Sequence, residues 1–155
     1  MAAATVEVAG GIGISKMLAR LSPDGRWLAT AQGSQLTVRE SNTATVLAQF
    51  STLDAIEALA WSPDSELVLC GIYKRGQVQV FSLSQPEWRC KVSEGVAGLV
   101  HGMWVPDSRQ IITFTVGGCR QIEAYMRSGH DTGPCAPRTF GCTSQSGTSP
   151  RRGRS

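Results

Sequence analysis

No apolar run in this 155-residue chain approaches the ~18 residues of a membrane-spanning helix. The opening MAAATVEVAGGIGISK has neither a basic start nor a sustained apolar stretch, which predicts that no secretory signal is present and that the setting is reducing. Histidine is scarce: His101 and His130 stand alone, with no evident base–nucleophile arrangement, so the chain is not expected to be an enzyme. Five cysteines, odd in number and unevenly spaced, do not make a disulfide framework. Cys119, His130, Cys135 and Cys142 lack the paired C-x2–4-C knuckle of a zinc site, so no metal is expected. Gly10-Gly11-Ile12-Gly13 is not followed by the lysine and hydroxyl residue of a phosphate loop, and no cofactor is expected.

Apolar residues make up 41% of the chain and charged residues 17%, a balance that suits a packed core. Seventeen glycines and seven prolines imply many turns between short strands. The net charge of +3 is unevenly placed. Residues 119–155 carry six arginines against two acids, whereas residues 1–118 are slightly acidic.

The chain also resembles itself. ARLSPDGRWLAT (19–30), AWSPDSELVLC (60–70) and MWVPDSRQIIT (103–113) align, with Pro23, Pro63 and Pro106 spaced by 40 and 43 residues. Such a period is that of a four-stranded propeller blade, ~40–45 residues. Within each unit a strand leads into a Pro-Asp turn: Pro23-Asp24, Pro63-Asp64 and Pro106-Asp107. There proline presets φ and aspartate bonds back to the backbone. An apolar second strand follows, then a glycine-containing turn and a third strand alternating as Leu36-Thr37-Val38 or Val78-Gln79-Val80. A fourth strand is expected at 45–50 and again at 88–92. The third unit begins well, with a third strand expected at 121–126 and nothing to serve as a fourth.

The expected fold is therefore all-β: about two and a half WD40-type β-propeller blades, an incomplete propeller with a disordered C-terminal tail. Its divisions are a flexible start at 1–14, blades at 15–54 and 55–96, a partial blade at 97–126 and a basic tail at 127–155. Two and a half blades cannot close a ring, which predicts marginal stability or folding against a partner surface.

The stretch YKRGQVQVFSLSQPEWRCKVSEGVAGLV (73–100), with WVPDSRQI (104–111), resembles the WRAP family of centrosomal and spindle-pole WD-repeat proteins. The Tyr-Lys-Arg-Gly turn and the Gln-Pro-Glu-Trp segment carry the resemblance, which spans roughly residues 15–113. It implies a cytoplasmic scaffold that partners a coiled-coil protein at centrosomes and spindle poles, anchors microtubule minus ends and supports spindle assembly. The naming Trp-Asp pair is absent, with Arg39-Glu40 and Phe81-Ser82 in its place. Family members are longer, so the chain reads as an N-terminal truncated form. A mis-spliced product without activity of its own is the alternative.

Trp61 and Trp104, at aligned strand positions, are expected in blade contacts rather than recognition. Lys74 and Arg75, at a hairpin tip, and Trp88 are the candidate partner contacts. Arg151, Arg152 and Arg154 offer at most weak, salt-sensitive binding to acidic surfaces, so no specific nucleic acid and no membrane is expected as partner.

Overall fold

The computed structural model describes residues 18–93, 98–115, 118–123 and 139–141. Twelve strands form three four-stranded antiparallel sheets, each following chain order. The first holds β1 (Ala19–Leu21), β2 (Trp27–Gln32), β3 (Gln35–Glu40) and β4 (Val46–Ser51). The second holds β5 (Ala58–Trp61), β6 (Leu67–Ile72), β7 (Gln77–Ser82) and β8 (Arg89–Ser93), with a 3-10 turn at Tyr73–Arg75. The third holds β9 (Leu99–Trp104), β10 (Gln110–Thr115), β11 (Gly118–Glu123) and β12 (Thr139–Gly141).

The Pro-Asp turns all fall at one place, between the first and second strands of a sheet. Equivalent register pairs are Leu21 with Leu28, Trp61 with Val68, and Trp104 with Ile111. The 40- and 43-residue spacing is thus a spacing of whole sheets.

One expectation needs correction. The third unit does not stop at a third strand: its third strand lies at Gly118–Glu123, earlier than 121–126, and a short fourth pairs Thr139–Gly141 with Arg120–Ile122. Gly-Cys-Arg-Gln-Ile-Glu lacks clean alternation, so side-chain periodicity conceals it. Its six residues pair in unbroken register with β10, whose main chain needs a partner whatever the side chains are. The fourth strand falls inside the segment expected to be a disordered tail; the rest of 127–155, and 1–14, lie outside the described residues.

The innermost strands neighbour one another, β1 beside β5 and β5 beside β9. Two cores result. Leu36, Val38 and Phe50 of the first sheet meet Trp61, Val68 and Phe81 of the second, with Phe50 and Phe81 stacked at 4.8 Å. On the opposite face of the second sheet, Leu67, Leu69, Val78 and Val80 meet Leu99, Trp104 and Ile111 of the third. Both faces of the middle sheet are covered, and all six residues of β6 are buried, which is why LVLCGI is apolar rather than alternating. The outer sheets differ: Leu21 is 56% exposed and Met103 43%. Apolar surface left in water contributes nothing to folding. Urea unfolding of the isolated chain, followed by circular dichroism, should therefore give a midpoint below about 2 M. A monomer with a midpoint above about 4 M would contradict this reading.

Candidate functional site

The Pro-Asp corner is built locally. In the first sheet Ser22 Oγ donates to Asp24 Oδ1 at 2.6 Å, and the same oxygen accepts the Arg26 amide at 3.1 Å. The main chain closes the hairpin from Ser22 N–H to Trp27 C=O at 2.7 Å. Ser62, Asp64 and Glu66 repeat the arrangement at 2.5 and 3.2 Å. In the third sheet Val105 replaces the first serine, and Asp107 Oδ1 instead accepts the Arg109 and Gln110 amides at 2.9 and 3.1 Å. Hydrogen bonds from Ser22 and from the Arg26 amide hold the Asp24 carboxyl below its usual range.

The residue after each aspartate has left-handed backbone: Gly25 at φ 75°, Ser65 at 65° and Ser108 at 60°. Serine pays a steric cost there that glycine avoids. The hydroxyl explains its presence. Ser65 Oγ accepts the Asp24 amide at 3.1 Å, and Ser108 Oγ accepts the Asp64 amide at 3.0 Å, so each corner is tied to the corner of the sheet before it.

A second tie runs in parallel. Trp61 Nε1 donates to the Arg20 carbonyl at 2.8 Å, and Trp104 Nε1 to the Ala60 carbonyl at 3.2 Å. Both tryptophans are therefore contacts between sheets. The tryptophans were legible from their aligned positions; the serine hydroxyls were not, although serine standing where Gly25 stands was a signal.

At the opposite end of the second sheet, Tyr73–Arg75 make the hairpin tip, closed by Gly76 at φ 60°. The basic pair is not bare. Arg75 Nε donates to Asp54 Oδ2 at 2.8 Å, the Lys74 amide donates to Glu57 Oε2 at 2.8 Å, and Lys74 Nζ lies 4.0 Å from Glu57 Oε1. The bond from Arg75 is the main reason the Asp54 carboxyl sits below its usual range. Both cations stay mostly exposed, at 71% and 60%, so these pairs contribute little to stability but do orient the tip.

Tyr73 folds back over Gly71, where a Cβ would lie 2.6 Å from the ring. Its hydroxyl accepts the Gly102 amide at 3.3 Å and lies 3.4 Å from His101 Nδ1, latching the tip to β9. Burial raises the Tyr73 phenol above its ordinary value.

Trp88 is elsewhere. It precedes β8 at the corner end of the sheet, half-buried against the core between the second and third sheets. Strands of six residues separate it from Lys74 and Arg75 by about 17 Å, so the three candidate contacts do not form one patch. The cysteines Cys70 and Cys90 are buried, and burial pushes the Cys70 thiol up. Among the described residues no group of His, Cys, Asp and Glu is placed to hold a metal, and no helix is long and apolar enough to cross a membrane.

The β-propeller domain of Cps50 (Swd1) from Myceliophteria thermophila superposes with a TM-score of 0.66, covering 86% of this chain and 40% of that one. At 14% identity it speaks for the fold. The WD repeat-containing protein WRAP73 of Mus musculus is 47% identical over 102 residues. This chain is built of WD-repeat propeller blades. The match takes in 66% of the chain and 22% of WRAP73, so the blades described here span about a fifth of that relative, and the WRAP resemblance read from the sequence holds. No protein-family profile matches the chain.

The blade-to-blade ties predict distinct outcomes at Ser65. Ser65→Ala keeps the left-handed strain and loses the acceptor, and should destabilise by about 1–2 kcal/mol. Ser65→Gly loses the same bond but relieves about 1 kcal/mol of strain, and should cost less. Urea midpoints measure the order; alanine behaving like wild type would contradict the tie.

Proposed function

We propose that the chain is a non-enzymatic interaction scaffold of the cytoplasm, working at the centrosome and spindle pole among proteins that anchor microtubule minus ends and assemble the spindle. The observation that carries this reading is the 47% identity to WRAP73. WD-repeat blades serve as platforms for other proteins, and the class of partner here is a centrosomal coiled-coil protein. The hairpin tip is its contact: Lys74 and Arg75 project cations held in place by Asp54 and Glu57, while Tyr73 fixes the tip against β9. An acidic helical face would meet these cations without the tip having to be ordered first. Trp88 offers a separate, weaker contact at the corner end.

Two paired variants test the tip. A fluorescently tagged chain should concentrate at spindle poles of mitotic cells, and Lys74→Glu with Arg75→Glu should reduce that signal several-fold. Asp54→Asn with Glu57→Gln weakens the same internal pairs but keeps both positive charges, and should lower the signal much less. A diffuse wild-type chain contradicts the location; equal loss in both pairs contradicts the tip as the contact.

A further inference from the structure

The two joints between blades differ at their outer rims. Toward the third blade the middle sheet presents Val78, Val80, Cys90 and Val92, all buried, so that joint is filled out to its outermost strand. Toward the first blade Val68, Cys70 and Phe81 are covered, but the outermost strand is not. There β8 sets Arg89 opposite Phe81, Lys91 opposite Gln79 and Ser93 opposite Gln77. Arg89, Lys91 and Ser93 are exposed, and the two glutamines are half-buried. Both blades that bound this rim lie among the described residues.

The edge itself is regular. β8 pairs with β7 in unbroken register over all its residues, and its other edge meets no strand among the described residues. By contrast β4, the outer strand of the first blade, is interrupted by an irregularity opposite Val38 and Arg39. A straight edge is a row of main-chain donors and acceptors open to a further strand.

Its side chains carry one sign of charge. Arg89 and Lys91 stand two residues apart on one face, about 7 Å along the strand. Neither takes part in an ion pair among the described residues, because the acids paired with cations in this blade, Asp54 and Glu57, hold Arg75 and Lys74 at the tip. The Arg89 guanidinium lies 5.8 Å over the Phe81 ring, which orients it along the sheet face.

Charges on an edge keep unwanted strands away, and these do so for a second copy of the chain: its β8 brings cations against cations. They favour the opposite sign. An extended segment with a carboxylate at every second residue repeats the spacing of Arg89 and Lys91 and sets an acid beside each cation.

We propose that the outer edge of β8 is a second interaction surface, taken by an extended acidic segment of a partner protein that joins the four-stranded sheet as a further strand. The main chain of β8 supplies the attachment, and Arg89 and Lys91 supply the choice of sequence. This surface is distinct from the hairpin tip and works without it.

Fluorescence anisotropy tests this on the full chain at physiological salt, which screens distant charges. The probe is a short labelled peptide of alternating threonine and glutamate. Its binding should weaken about tenfold or more in the Arg89→Glu, Lys91→Glu double variant. Lys74→Glu with Arg75→Glu, at the tip, should change it far less. Circular dichroism establishes that both variants keep the strand content of wild type. Two further peptides, N-methylated at the threonines or at the glutamates, need only the wild-type chain. Because alternate residues of a strand face opposite neighbours, one should lose binding and the other keep it. No binding by wild type overturns the proposal, as does binding that the Arg89→Glu, Lys91→Glu variant retains. An equal loss in the tip variant also overturns it, since the peptide would then sit at Lys74 and Arg75. So does an equal response to the two methylated peptides, which would mean attraction of charges without strand addition.

Discussion

A backbone amide at a turn, reached by a serine oxygen from the next sheet, is the contact on which this architecture depends. Asp24 and Asp64 use their carboxylates to shape their own corners and their amides to hold the following blade. One residue thus fixes both the hairpin and its neighbour. The tryptophan bonds to Arg20 and Ala60 reinforce the same joints from the inner strands. Hydrophobic burial supplies most of the attraction between the sheets, but it is non-directional. The polar ties set the angle and the order.

That division of labour explains the middle blade. Its strands carry apolar residues on both faces because both are interior, and its corner both gives and receives a tie. The first blade is polar at positions where the second is apolar, with Arg39 for Phe81 and Thr30 for Cys70. Function is consistent with such a platform: the tip at Tyr73–Arg75 is held from two sides, by the acids of the preceding connector and by β9, and so presents a preformed surface.

Much of this was legible in the sequence. Three Pro-Asp corners at one period gave the number and kind of units, and alternation in Leu36–Val38 and Val78–Val80 marked third strands correctly. The tryptophans read as contacts because they align. What could not be read was formed by main-chain pairing or by distance. The third strand of the last blade follows the edge of β10, and the fourth the edge of β11, rather than any side-chain rhythm. Asp54 and Glu57 lie some twenty residues before the cations they orient, with nothing in that spacing to link them. A resemblance to WRAP proteins singled out the Lys74-Arg75 tip and Trp88 together, yet they sit at opposite ends of the sheet. Sequence proximity to a distinctive motif does not make a surface.

The central claim concerns two corner amides, at Asp24 and Asp64, each held by a serine oxygen of the following blade. Residue-resolved hydrogen exchange measures both in a single experiment. Slow exchange at both in the wild type, accelerated at Asp24 by Ser65→Ala and at Asp64 by Ser108→Ala, is the pattern expected from those oxygens standing on the amides. Exchange at both amides that neither substitution changes would contradict it.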